Sequence, residues 1–261
     1  MKNISKKERP IAVFDSGMGG ISVLRELVKI LPNENYIYFG DSAHAPYGTK
    51  TIEEVRRLTI EHADALFEEG AKGLVVACNT ATSAAVRVLR ELHPDIPIVG
   101  IEPAVKPAVL SGKHPTVLVM ATPMTIREEK FHKLMERYTD QAEIIPLPCP
   151  GLMDFVERGD LDGEDLHKYL TELLYAYRDV HLDAAVLGCT HYPFARQMIQ
   201  EILGEQTQIF DGGEGTAKEM RRRLAEGDLL NPSTRIGKVD FRNSLEEPEK
   251  IRLCERLFSL P

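Results

Sequence analysis

Short apolar runs alternate along the chain with longer stretches whose apolar positions recur every three or four residues. The runs at 11–14, 36–39, 74–77, 96–100, 116–120, 144–147, 184–187 and 208–210 predict buried strands. The periodic stretches at 21–30, 81–92, 127–138, 166–178, 194–203 and 217–225 predict helices. In the first of these, Val23, Leu24, Leu27 and Val28 share one face. Thr51-Ile52-Glu53-Glu54 has the form of a capping box and opens a further helix to about Glu69. Near the C-terminus, 239–241 predicts an edge strand and 253–258 a short helix. Strands and helices in alternation predict an α/β fold, a parallel sheet wrapped by helices. The pattern starts afresh after Glu102-Pro103-Ala104-Val105-Lys106-Pro107, which reads as a crossover between two halves.

Two of the predicted strands end alike. Val75-Val76-Ala77-Cys78-Asn79-Thr80 and Ala185-Val186-Leu187-Gly188-Cys189-Thr190-His191 each close an apolar run with a cysteine, then with residues able to cap a helix. A thiol at a strand tip, facing a helix N-terminus, sits where thiolates and other anions are favoured. A lone cysteine is more often a small buried hydrophobe than a reactive group. The repetition, with His191 placed to orient or deprotonate Cys189, points instead to paired acid–base chemistry.

Composition narrows the classes further. The 261 residues, 43% of them hydrophobic, suffice for one or two domains with a real core. A net charge of -8 argues against nucleic acid or an anionic membrane as a general partner. Arg221-Arg222-Arg223, the densest basic run, reads as a solvated helix face. No apolar run has the length of a membrane-spanning helix, and Met1-Lys2-Asn3-Ile4-Ser5-Lys6-Lys7 lacks a signal-peptide core, so a cytoplasmic protein is expected. Cys78, Cys149, Cys189 and Cys254 form no Cys-x-x-Cys pair, which argues against a zinc site or redox dithiol and for free thiols. Cys149, between two prolines, and Cys254, in the tail, read as structural.

The loops after the first two strands bring polar groups to one sheet edge, where open parallel sheets bind ligands. In Asp15-Ser16-Gly17-Met18-Gly19-Gly20 the glycines let backbone amides approach a carboxylate or phosphate. The same segment reads equally as a tight strand-to-helix turn without a ligand. As a dinucleotide fingerprint it fails, because Ser22 stands where the third glycine belongs. Asp41-Ser42-Ala43-His44-Ala45-Pro46-Tyr47-Gly48 is a second polar loop, or a turn built on Pro46 and Gly48 with His44 a loop histidine.

Six segments together resemble the aspartate/glutamate racemase superfamily. They are Phe14-Asp15-Ser16-Gly17-Met18-Gly19-Gly20, Gly40-Asp41-Ser42-Ala43, Pro46-Tyr47-Gly48, Ala77-Cys78-Asn79-Thr80-Ala81, Cys149-Pro150-Gly151-Leu152 and Gly188-Cys189-Thr190-His191-Tyr192-Pro193. They occur in family order over roughly 11–211, and the ordered set is specific. Aspartate-preferring members usually carry glutamate after the second Cys-Thr, and His191 at that place favours the glutamate branch. His44-Ala45 departs from a usual basic then larger apolar pair, and Thr82 from a usual serine.

The resemblance implies cofactor-independent interconversion of L- and D-glutamate, a small-molecule reaction with no metal, supplying D-glutamate for peptidoglycan. It implies that Cys78 deprotonates D-glutamate and Cys189 L-glutamate, with Asp15 beside Cys78 and His191 and Glu157 beside Cys189 as proton-transfer aids. The implied substrate-binding set is Asp15, Ser16, Asp41, Pro46, Tyr47, Gly48, Asn79, Thr80, Thr122, Thr125, Thr190 and His191. The implied fold is two pseudo-symmetric parallel-sheet α/β domains, 1–100 with 211–261 and 101–210, with the active site in the cleft between them. A homodimer is also implied. Only Met1 to Pro10 precede the first motif strand, so independence of a cell-wall-precursor activator is expected. The alternatives are a racemase for aspartate or another amino acid, a cysteine hydrolase using Cys189 and His191, and an amino-acid-binding protein on the same fold.

Overall fold

The computed structural model describes residues 5–260. The chain divides into two compact units, Met1–Glu102 with Gly213–Pro261, and Pro103–Gly212. The first holds β1 (Ile11–Asp15), β2 (Tyr36–Gly40), β3 (Gly73–Val76) and β4 (Ile98–Gly100). The second holds β5 (Thr116–Ala121), β6 (Glu143–Pro148), β7 (Ala184–Leu187) and β8 (Gln208–Asp211), after which β9 (Val239–Asn243) joins the first sheet. The sheet orders are β4-β3-β1-β2-β9 and β6-β5-β7-β8. Every pairing is parallel, as in Val13 opposite both Tyr38 and Val75, and Val119 opposite both Pro146 and Val186.

Read in the opposite direction, the second sheet runs β8-β7-β5-β6, the same winding as β4-β3-β1-β2. Strand β1 thus corresponds to β5, and β3 to β7. In each sheet the chain leaves its first strand toward one side and later returns to the other. That reversal opens a crevice at the strand C-termini, between β1 and β3 in one unit and between β5 and β7 in the other. Strands β1, β3 and β7 are buried at every position, covered on both faces by helices, which is why they read as unbroken apolar runs rather than alternating ones.

Several helices differ from expectation at their ends. The helix Asn79–Leu92 begins two residues early because Cys78 is itself its N-cap. Thr51 caps Ile52–Glu68 by accepting from the Glu54 amide at 3.2 Å. The helix expected at 127–138 is two, Pro123–Arg127 and Glu129–Glu136, with Glu128 extended between them. Leu152–Arg158 was not anticipated, being short and opened by Gly151 in the left-handed region at φ 85. The expected crossover carries a short helix, Val105–Val109. The strand β9 is an edge strand, as its mixed polarity suggested, and Pro248 opens the last helix, Pro248–Phe258, earlier than expected. Arg222 and Arg223 pair with Glu219 on the outer face of Gly213–Glu226. Deep in the first unit, Lys72 donates to the Glu34 carboxylate and to the Leu229 carbonyl, tying the start of β3 to the returning C-terminal segment. No helix among the described residues is long and apolar enough to cross a membrane.

Candidate active site

In the first unit, the ends of β1 and β3 are drawn together by the Ala77 amide donating to the Phe14 carbonyl at 2.7 Å. Asp15 is fully buried there, its Oδ1 accepting from the Gly17 amide at 2.8 Å. Ser16 donates its hydroxyl to Cys78 Sγ at 3.3 Å, and the Ala81 amide donates to the same sulfur at 3.5 Å. The thiol therefore occupies a helix N-terminus, where amides stabilise developing negative charge. Asn79 and Thr80 follow, half-buried in the first helical turn. Gly20 makes this closeness possible: a Cβ there would stand 2.7 Å from Asp15 Cβ and 2.9 Å from Ala77 Cβ. A Cβ on Gly40 would stand 2.2 Å from the Gly17 carbonyl oxygen, so the two loops also pack backbone to backbone.

Beyond β2, Asp41 is fully buried and accepts from the Tyr47 hydroxyl at 2.7 Å and from His44 Nδ1 at 2.8 Å. Burial, the largest effect, works to raise its pKa, but the His62, His44, Tyr47 and Ser244 side chains outweigh it and hold the carboxyl below the usual range. Burial, then Asp41, pushes the Tyr47 hydroxyl above its ordinary value. Pro46 is exposed and Gly48 half-buried on the same turn.

In the second unit, Gly188 leaves β7 with its amide donating to the Met120 carbonyl at 2.7 Å. A Cβ there would stand 2.8 Å from that oxygen, so only glycine fits. Cys189 follows, half-buried. Here the two cysteines differ. The expectation that Cys189 faces a helix N-terminus is corrected: Tyr192–Ala195 is a 3-10 turn containing Pro193, and the helix proper is Arg196–Leu203. What Cys189 has instead is His191, whose Nδ1 lies 3.6 Å from Sγ. His191 Nε2 donates to Glu157 Oε1 at 2.8 Å, from the unanticipated helix Leu152–Arg158. Burial, the largest influence on His191, lowers its pKa, yet Cys189 and Glu157 together raise it well above the ordinary histidine value. At the end of β5, Thr122 and Thr125 hydroxyls are 2.9 Å apart and Thr122 caps its short helix. Thr190 is buried beside Cys189 in sequence.

Residues 11–220 match the model of the family described as Asp/Glu/Hydantoin racemase. The chain belongs to this racemase family. It is therefore a racemase, an isomerase. A glutamate racemase of Clostridium perfringens is 51% identical to it over 254 residues, spanning 97% of this chain and 98% of that protein. The crystal structure of the Francisella tularensis glutamate racemase in complex with D-glutamate matches with a TM-score of 0.82 at 31% identity, over 97% of this chain and 95% of that one. That of the Escherichia coli enzyme, in complex with L-glutamate and the activator UDP-MurNAc-ala, matches with a TM-score of 0.82 at 30% identity over 95% of each chain.

The other two cysteines of the racemase are buried. Burial pushes the Cys149 thiol up to about 12, and its carbonyl accepts from the buried Tyr192 hydroxyl at 3.3 Å. Cys254 is fully buried in the last helix. Sequence reasoning missed Tyr192 and His62. The signal for His62 was present: it is the polar member of an apolar stripe running Val55, Leu58, His62, Leu66.

Proposed function

We propose that this protein interconverts L- and D-glutamate without a cofactor, exchanging the Cα proton between Cys78 and Cys189 on opposite faces of the substrate. One observation carries the reading: two sheets wound in the same order each end the strand beside their switch point in a cysteine, Cys78 after β3 and Cys189 after β7. Inverting a Cα requires a base on one face and an acid on the other, and a duplicated half-site supplies one of each. Glutamate as substrate is supported by the similar proteins, which are glutamate racemases and include complexes with both enantiomers.

Each turnover begins with one thiolate and one thiol, and the roles reverse with direction. From D-glutamate, Cys78 takes the α-proton and Cys189 returns one; from L-glutamate the order is inverted. The α-proton is weakly acidic, so the site must stabilise the carbanion through preorganised donors. Ser16, Asn79, Thr80 and Thr190, amides at Tyr47 and Gly48, and Thr122 and Thr125 hold the substrate carboxylates. Asp41 and Pro46 shape the turn that presents those amides. Asp15 beside the first thiol raises its proton affinity, opposing the helix terminus. His191, held cationic by Cys189 and Glu157 together, donates toward Cys189 and orients it. The reading extends to a cytoplasmic homodimer, with D-glutamate passing to peptidoglycan synthesis.

The test is incubation of L- and, separately, D-glutamate in deuterated water without cofactor, following optical rotation and Cα deuterium. Racemisation with deuterium uptake, lowered about 10²–10⁴-fold in Cys78→Ala and in Cys189→Ala, is expected. Absence of exchange from either enantiomer rejects glutamate and turns attention to aspartate. A covalent acyl-enzyme instead of exchange identifies a cysteine hydrolase.

A further inference from the structure

We infer that Asp41, His44 and His62 form a zinc-binding site that crosslinks the loop after β2 to the helix Ile52–Glu68. One ligand atom from each of the three residues lies within 4.8 Å of the others. His44 Nδ1 stands 2.8 and 3.0 Å from the two Asp41 oxygens, and His62 Nε2 stands 3.2 Å from Asp41 Oδ2. Ligands at about 2.0–2.2 Å around a tetrahedral zinc ion stand about 3.3–3.6 Å apart. The carboxylate-to-imidazole distances therefore need to open only slightly to admit the ion.

The His62 nitrogen supplies an independent sign. It is buried and pairs with Asp41 Oδ2 at 3.2 Å, but without an in-line hydrogen bond among the described residues. A buried imidazole nitrogen facing a carboxylate out of line is poorly served by its neighbours and is suited to share a cation with them. Its ring is held in place by Phe39 and Phe14, at centroid distances of 4.8 and 5.7 Å. The Tyr47 hydroxyl, 2.7 Å from Asp41 Oδ2, orients the carboxylate as an outer partner does in built metal sites. The His44 side chain is 46% exposed, which leaves water a route to a fourth position. Two imidazoles with one carboxylate suit zinc rather than calcium or magnesium, which prefer oxygen alone. The cysteine spacing argued against a zinc site, and this one uses no thiol. Its ligands come from a loop and a helix, with His62 18 residues after His44, outside any spacing motif.

The test is titration of the full chain, chelator-treated and reduced, with cobalt(II) and with zinc against a chromophoric chelator. Expected are cobalt d–d bands without a sulfur charge-transfer band, and zinc binding at one equivalent. Zinc affinity should fall by at least about tenfold in His44→Ala and in His62→Ala, the loss seen when even an outer partner is removed. It should be unchanged in Cys78→Ala and Cys189→Ala. His44→Ala removes a half-exposed ring and keeps the test valid if His62→Ala unfolds. No zinc binding, a sulfur band that vanishes with either cysteine, or unchanged affinity in His44→Ala overturns the site.

Discussion

Replacing Glu157 by Gln removes one charge from the Glu157–His191–Cys189 chain while keeping its shape. The amide oxygen can stand where Glu157 Oε1 now accepts from His191 Nε2 at 2.8 Å. A hydrogen bond involving a charged group contributes about 1.5–3 kcal/mol, against about 0.5–1.5 kcal/mol for a neutral one. The substitution therefore costs about 1–1.5 kcal/mol, or about tenfold in rate if the loss is felt fully in the transition state. With Gln at 157, Cys189 alone opposes burial, so the His191 imidazolium gives way at a lower pH than in the parent. The assay is kcat/KM by circular dichroism from both enantiomers across pH, beside an NMR titration of labelled histidine. The free energies of the two enantiomers are equal, so kcat/KM must fall by one common factor in both directions, about tenfold. The alkaline limb moves to lower pH. Stability carries the same sign. A raised folded pKa contributes stability fully present below the unfolded value of about 6.5 and lost as pH rises through the folded value. The variant's stability deficit is thus full below its own folded value and vanishes as pH rises through the parent's raised one. Unchanged kcat/KM together with an unmoved pH profile would refute the reasoning.

Gly20→Ala forces a Cβ to within 2.9 Å of both Asp15 and Ala77, and is expected to destabilise by about 1–3 kcal/mol and to lower activity, read by urea unfolding and racemisation rate. Lys72→Met leaves the Glu34 carboxylate buried without its cation, and should cost about 3–5 kcal/mol in urea unfolding, part of it recovered in Lys72→Met with Glu34→Gln.

The alternation of apolar runs and periodic stretches was enough for the α/β class, because strands covered on both faces must be apolar throughout and helices covered on one face must be periodic. The turn glycines and the cysteines after β3 and β7 were legible for a similar reason: close backbone approach and strand-end chemistry are local requirements. What tertiary structure decided were the partners. Ser16 meets Cys78 because β1 and β3 are neighbours, although 62 residues separate them. Glu157 reaches His191 across 34 residues from a short helix whose start, a left-handed Gly151, has no apolar period to announce it. The two thiols, alike in sequence, are unlike in setting, since Pro193 and a 3-10 turn replace the helix terminus that Cys78 caps. His62 faces Asp41 only because its helix lies over the end of β2. Periodicity reports which side of an element is covered; it carries nothing about which distant element does the covering, and the chemistry of this protein resides in those pairings.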